Sequence, residues 1–405
     1  MRTLSRQSGM SMVELMVAMA IALIGTIIIF QVFEVSEGIR RTTTSGGDAQ
    51  QNGAIGLYVI ENDLRNAGMG FNDTTYAGCN ATAFDSTRAP TNFTLPMVPI
   101  SISGGVAATA PDSLSIFYGS QYLVANATTL TAAMGSATAN VKIIPSGRYG
   151  FRTGDLLLLF QPGTANCELM EVTALPGSDE ITHNATAYTL DWVTTGPVAA
   201  TSRFNPAGGS FQFGGVGAAA TRVFNLGNPY DKNGVFNLNG PSTPVYNTYA
   251  IVGNELRTSS KFSGAAAVAI ADNIVHMRAL YGLDDGINNN TVTINPVFVA
   301  GDGLVDRFVD AATFDAMAVK PWQYLVVIRV VLVARSVNAE KPSGGGVCDT
   351  TTVATAPTWS GTAFAVAPFN LQTSLDLSAD PNWQCYRYKA FETSIPLRNW
   401  IWKSS

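Results

Sequence analysis

Histidine is nearly absent from this chain: His183 and His276 are the only two among 405 residues. Neither has a nucleophile or a metal-ligand spacing around it, so the pattern supports neither a catalytic triad nor a zinc enzyme. Charge is scarce as well. Asp, Glu, Lys and Arg make up 13% of the residues, about half of the ~25% usual in soluble domains. Thr, Asn, Ser and Gly are abundant instead, which gives the neutral, polar surface of an exported protein. The net charge of -5 indicates no nucleic-acid partner held by bulk positive charge. Cysteine is limited to Cys79, Cys167, Cys348 and Cys385, too widely spread for a zinc knuckle. In an oxidising compartment they make two disulfides, with three pairings open. Cys79 with Cys167 and Cys348 with Cys385 is the favoured set, because each pair closes a loop inside one half of the chain, worth about 4 to 5 kcal/mol in the chain-entropy model. No repeat recurs at a fixed period. The run Gly214 to Ala220 lacks the strand-loop-helix setting and the acid of a dinucleotide loop, so it reads as a flexible loop and no cofactor is expected.

Long apolar runs are missing too, with one exception. From Leu15 to Phe30 nothing is charged, and from Met10 to Phe33 the only ionisable side chain is Glu14. As a helix this segment is about 36 Å long, enough for a bilayer core of about 30 Å. A secretory signal would have a shorter apolar core, cut on its far side. Arg2 and Arg6 precede the run without any acid, so the positive-inside rule keeps the start cytoplasmic and exports the remainder; Arg40 and Arg41 compete, but beside Glu34 and Glu37. An acid inside such a segment is costly and defaults to a functional role, the simpler alternative being that Glu14 snorkels to the interface.

Gly9, then Met10-Ser11-Met12-Val13-Glu14 and the apolar stretch, resembles the N-terminus of a type IV prepilin. The resemblance implies that a prepilin peptidase cuts after Gly9, that Met10 becomes N-methylated, and that Glu14 helps the subunit enter a helical filament. Removal of Arg2 and Arg6 would move the net charge from -5 to -7 before the new amine is counted. That amine on Met10 stands at i, i+4 from Glu14, and in a filament the carboxylate can pair with the terminus of a neighbouring subunit. Met10 departs from the phenylalanine common in the family. Gln31 stands where major pilins often carry proline, which fits a minor subunit.

Beyond the membrane segment, Glu37 to Met69 continues the helix, with a loosening expected at Gly46-Gly47. Ile55, Val59, Ile60, Leu64 and Ala67 form one apolar stripe, with Glu61, Asp63 and Arg65 on the other side, and Gly68 and Gly70 signal the stop. From Cys79 to about Arg257, short apolar runs between turn residues read as strands: Ser113 to Tyr118, Val141 to Ile144, Asp155 to Phe160, Tyr249 to Val252. Thr128 to Thr138 and Ala207 to Ala220 read as mobile loops. Val268 to Tyr281 fits a helix or a strand. Tyr324 to Ala334, eleven residues with Arg329 in the middle, is too short and too charged for a second span and reads as a buried strand.

Several segments look like those of PilW-type minor pilins: Asn62-Asp63-Leu64-Arg65-Asn66-Ala67-Gly68 followed by Cys79, Tyr281-Gly282-Leu283-Asp284, Ile328 to Ser336, and Tyr386 to Asn399. The resemblance covers both ends of the chain. It implies an α+β, pilin-like fold: a long N-terminal helix, membrane half plus amphipathic half, packed on an antiparallel β-rich globular domain enlarged by insertions. The expected organisation is a leader at 1–9, the pilin helix at 10–70 with the membrane segment at 10–33, a β-rich region at 71–260, and a C-terminal β-rich region of the same head at 261–405.

Asp284, Asp285, Asp302, Asp306 and Asp310, with Asn288 to Asn290, offer oxygen ligands for Ca²⁺, Asp302 and Asp306 being the most suggestive. Their spacing does not match a twelve-residue EF-hand loop, so solvated turns are the simpler reading. Trp400, Ile401 and Trp402 read as packing or subunit contact. The function implied is a non-enzymatic minor pilin that initiates or caps type IV pilus assembly. Its partners would be other minor pilins, the major pilin and the prepilin peptidase, with an inner-membrane anchor, a periplasmic head and later residence at the pilus tip or base. Two alternatives remain: a type II secretion pseudopilin, and a pilus-displayed adhesin or carbohydrate-binding module.

Overall fold

The structure, a computed structural model, describes Gly9 and residues 11–71, 77–105, 107, 109–121, 127–164, 166–214, 220–287, 299–342, 346–360 and 373–401. Ser11 opens the first helix, its hydroxyl accepting from the Val13 N–H at 3.4 Å. Helix α1 (Met12–Asn66) then runs 55 residues, about 80 Å. It ends where Gly68 and Gly70 take φ of +80° and +86°, a region that glycine enters without steric cost.

The loosening expected at Gly46-Gly47 does not occur; α1 is continuous through both glycines. Each costs about 1 kcal/mol against alanine, and the flanking Ser45 and Ala49, both buried, offset this by seating on the head. The expected stripe is also corrected. Ile55 is exposed while Asp63 is buried, and the packed face reads Ser45, Ala49, Gly53, Gly56, Ile60, Leu64 and Ala67. Its middle is glycine because the helix backbone approaches the sheet closely there. A Cβ on Gly53 would overlap the Phe391 ring, and one on Gly56 would lie 3.0 Å from Leu256 and 3.2 Å from Leu332.

The strands, numbered in chain order, form three main sheets, beside short pairs of β6 (Val141–Lys142) with β9 (Glu180–Ile181), β10 (Ala187–Leu190) with β11 (Val198–Thr201), and β19 (Thr358–Trp359) with β20 (Thr373–Ser374). One is a four-stranded antiparallel sheet of order β17 (Arg307–Val309), β16 (Ile274–Leu283), β18 (Leu325–Arg335), β21 (Tyr388–Pro396). A five-stranded antiparallel sheet runs β15 (Val268–Asp272), β14 (Glu255–Ser260), β13 (Val245–Val252), β4 (Ser113–Tyr118), β3 (Ile100–Ser103). It takes strands from both sides of residue 260. Helix α1 packs against β21, β18 and β15. The third sheet has order β2 (Asn92–Pro96), β1 (Asn80–Phe84), β8 (Cys167–Glu171), β7 (Leu156–Phe160), β12 (Arg222–Gly227), β5 (Thr128–Thr129). Here β1 and β8 pair in parallel, the one departure from antiparallel order within the three sheets. The Cys79–Cys167 disulfide joins them where both strands begin.

Both faces of the central strands are covered. In β7, Leu156 and Leu158 enter the main core beneath α1, while Leu157 and Leu159 enter a second core with Met134, Met170, Phe213 and Val223. Met134 and Phe213 come from the two segments expected to be mobile loops. They are buried instead, the Met134 N–H donating to the Phe213 carbonyl at 2.9 Å and Gln212 Nε2 to the Met134 carbonyl at 2.8 Å. The remainder of the Gly214 to Ala220 run, 215–219, lies outside the described residues.

Strand β18 is buried on both faces as well. Ile328, Val330 and Leu332 face the main core, and Val331 and Val333 a third cluster with Phe308, Trp359 and Leu375. Arg329 is tolerated because its guanidinium lies over the Phe308 ring at 3.9 Å and donates to Ser360 O at 2.5 Å and Ser394 Oγ at 3.1 Å. The Cys348–Cys385 disulfide ties down the segment covering this outer face. Val268 to Tyr281 is resolved into two strands turning at Asn273, φ +58°. In helix α3 (Arg398–Ile401), Trp400 is buried against Phe71 and donates from Nε1 to the Trp322 carbonyl at 2.8 Å; Trp402 lies outside the described residues.

Candidate assembly surface

The first half of α1 has no cover. Met12, Val13, Leu15, Met16, Ile21, Ile28, Phe30 and Phe33 all expose between 46% and 84% of their surface, and none of the most apolar window of the helix is buried. A core helix would be covered, so this one is built for an apolar surrounding that the chain itself does not supply. Met12 to Phe33 spans about 33 Å. The Thr26 and Thr43 hydroxyls donate to Leu23 O at 2.8 Å and Ile39 O at 2.9 Å, so neither needs water. Glu14 stands exposed in the first turn, where the helix N-terminus favours a carboxylate. Gly9 is exposed with open space around it; Met10 and the leader residues 1–8 lie outside the described residues. The head reaches the helix at an exposed ion pair, Lys341 Nζ to Glu34 Oε1 at 3.0 Å, and again at Ser45, whose hydroxyl accepts from Asn338 Nδ2 at 3.4 Å.

The second half is locked to the head through a buried acid. Asp63 Oδ1 accepts from the Tyr118 hydroxyl at 2.9 Å, and Oδ2 from Asn247 Nδ2 at 2.9 Å and the Tyr249 hydroxyl at 2.5 Å. Burial first, and then the Asp63 charge, push both tyrosine hydroxyls well above the usual phenol range. All three donors sit on β4 and β13, so the network fixes the helix against the centre of the five-stranded sheet. This residue and the Gly53/Gly56 pair were missed in the sequence. The signal available for the pair was small residues at helical spacing.

The acids weighed for Ca²⁺ serve the backbone and an arginine. Asp284 accepts from the Gly301 and Gly303 N–H groups at 2.7 Å each, Asp306 from Gly286 N–H at 2.6 Å, and Asp285 pairs with Arg307. Burial first, and then the charges of Asp284, Asp302 and Asp285, push the Asp306 carboxyl above its usual range. Asp302 closes its own turn onto Leu304, and Asp310 caps the short helix α2 (Ala311–Asp315). Asp284 and Asp306 are therefore buried rather than in solvated turns. Among the described residues no group of three or more His, Cys, Asp or Glu is arranged to hold an ion; Asn288 to Asn290 lie outside them. His183 donates from Nε2 to the Ala139 carbonyl at 2.9 Å, a packing role.

An uncovered apolar N-terminal helix with one acid in its first turn, continuing as a helix seated on antiparallel sheets, defines a pilin-like protein. Residues 245–399 match the family Type IV Pilus-assembly protein W, and residues 4–30 match the Prokaryotic N-terminal methylation motif. Over these two stretches the chain is similar to PilW-type proteins of type IV pilus assembly, and its first helix is long and apolar enough to cross a membrane. No curated protein and no solved structure matches it significantly. The first match spans β13 to α3 and so contains the seat of the helix; the six-stranded sheet lies outside both matches.

Proposed function

We propose that this protein initiates or caps a type IV pilus by packing its uncovered helix among those of other minor pilins and the major pilin. The observation that carries the reading is the apolar first half of α1, exposed along its length and bearing Glu14 alone. In the precursor this half spans the inner membrane with the head in the periplasm. A prepilin peptidase cuts after Gly9 and Met10 is methylated. Glu14 then pairs with the terminal amine of a neighbouring subunit. A mis-registered neighbour leaves both charges desolvated and unpaired, so the pair selects the register. The action is assembly, not catalysis. The family match of the C-terminal region supports a pilus over a secretion system as the setting.

Replacing the acid tests this directly. A carboxylate costs about 2.5 to 3.5 kcal/mol at the bilayer centre and less near the interface, so Glu14→Leu should leave insertion and cleavage after Gly9 intact. Cross-linking in membranes followed by mass spectrometry should show the variant depleted from the minor-pilin complex and from sheared pili. Entry at the parental level would reduce Glu14 to a snorkelling residue and remove the assembly role.

A further inference from the structure

A cleft of about 520 Å³ opens in the head where the chain passes from β12 to β13, within the ~300–1,000 Å³ usual for small-ligand sites. It lies among residues 120–243, outside both family matches. Its floor is rigid. Asp155 is fully buried and accepts from Asn225 Nδ2 at 2.7 Å and Asn228 Nδ2 at 2.8 Å. Gly227, φ +128°, lets two chain segments meet there, since a Cβ would overlap Ser120 Oγ and the Ser242 carbonyl.

The lining is polar, and part of it is uncommitted. Ser120 Oγ is buried without a hydrogen-bond partner among the described residues. At the rim stand two exposed cations, Arg152 and Lys232, neither with an ion-pair partner among the described residues. The Arg152 guanidinium lies 5.3 Å over the ring of half-buried Trp192, whose Nε1 donates to the Thr153 carbonyl at 2.7 Å. A stacked guanidinium keeps its N–H edge free for a bidentate acceptor and loses little freedom on binding. The Asp231 carboxylate in the same lining is engaged by the Asn233 and Val235 N–H groups of its own turn, and the stacked Arg152 with Lys232, beside hydroxyl and amide groups and an aromatic ring, matches a ligand with hydroxyls, a C–H face and a carboxylate.

We propose that this cleft binds an acidic saccharide of the uronic-acid type, with Arg152 and Lys232 receiving the carboxylate and the polar lining receiving ring hydroxyls. The site is independent of the assembly role, so loss of one leaves the other standing. The test uses the full-length protein in detergent micelles, titrated calorimetrically with the trimer of galacturonic acid and with maltotriose as the neutral counterpart. Trigalacturonate should bind saturably, and maltotriose at least about tenfold more weakly, as expected for the loss of one charge-assisted contact. Lys232→Glu and Arg152→Glu, both at exposed positions and each checked for a parental circular dichroism spectrum, should weaken trigalacturonate by a similar factor. Absence of saturable binding at millimolar trigalacturonate, equal binding of maltotriose, or unchanged affinity in both variants would overturn the proposal.

Discussion

Glycine has opposite meanings at two places on the same helix. Gly46 and Gly47 have open space around them, so a methyl group there only improves helix propensity. Gly46→Ala should raise stability by about 1 kcal/mol. At Gly53 the same propensity gain meets the Phe391 ring, and Gly53→Leu must displace that ring from β21. Overpacking costs about 1 to 3 kcal/mol, enough to cancel the gain and reverse the sign. Urea unfolding of the purified protein compares the two; a stabilised Gly53→Leu variant would mean that α1 does not press on β21. These positions explain why the Ser45 to Gly56 part of the packed face was illegible in the sequence, while Ile60, Leu64 and Ala67 were read as packed and are buried. A glycine carries no apolar signal, so periodicity picked Ile55, a large residue that faces solvent. The acid at 63 was assigned to the polar side because its donors lie 55, 184 and 186 residues away, beyond any local pattern.

At the level of elements, what was legible was what is local. The apolar span, its lone Glu14, the stop at Gly68 and Gly70, and the two-faced strand β18 all follow from runs of neighbouring residues. The parallel β1–β8 pair and the second core under β7 follow from pairings made across the head; Asp155 to Phe160 read as a strand, but the segments that supply Met134 and Phe213 read only as loops. The seat of α1 depends on such distant pairings. Asp63→Ala leaves the Tyr118 and Tyr249 hydroxyls and the Asn247 amide without their acceptor, a loss of several kcal/mol for a buried charged hub. Hydrogen exchange should then show faster opening of the α1 amides around residues 58–66, with β7 and β8 unchanged. Equal acceleration in both places would make Asp63 a contributor to global stability only and not the lock of this helix.

Across the whole molecule, the head carries buried carboxylates whose titration sets its response to pH. Burial pushes the Asp155 carboxyl up to about 6, against three donated hydrogen bonds that pull it down. Burial likewise raises Glu168 and Glu171 despite their donors. Each of these groups has a folded value above its unfolded one. The stability they contribute is fully present below about pH 4, near the unfolded values, and is lost as pH rises through the folded values. For Asp155 the loss between about pH 4 and pH 6 is on the order of 3 kcal/mol. Asp85 works in the other direction. Burial raises it, but the hydrogen bonds from Arg203 and Thr87 outweigh burial and hold it below its usual range, so its contribution fades only as pH falls below about 4. The two windows do not overlap, and the melting temperature of the full-length protein in detergent should therefore decline from mildly acidic to neutral pH. Asp155→Asn presents an amide N–H to the Asn225 and Arg152 donors and should melt lower at every pH. Its decline across the same interval should be flatter, because the group that titrates there is gone. A parental slope in Asp155→Asn would assign the pH response to other groups.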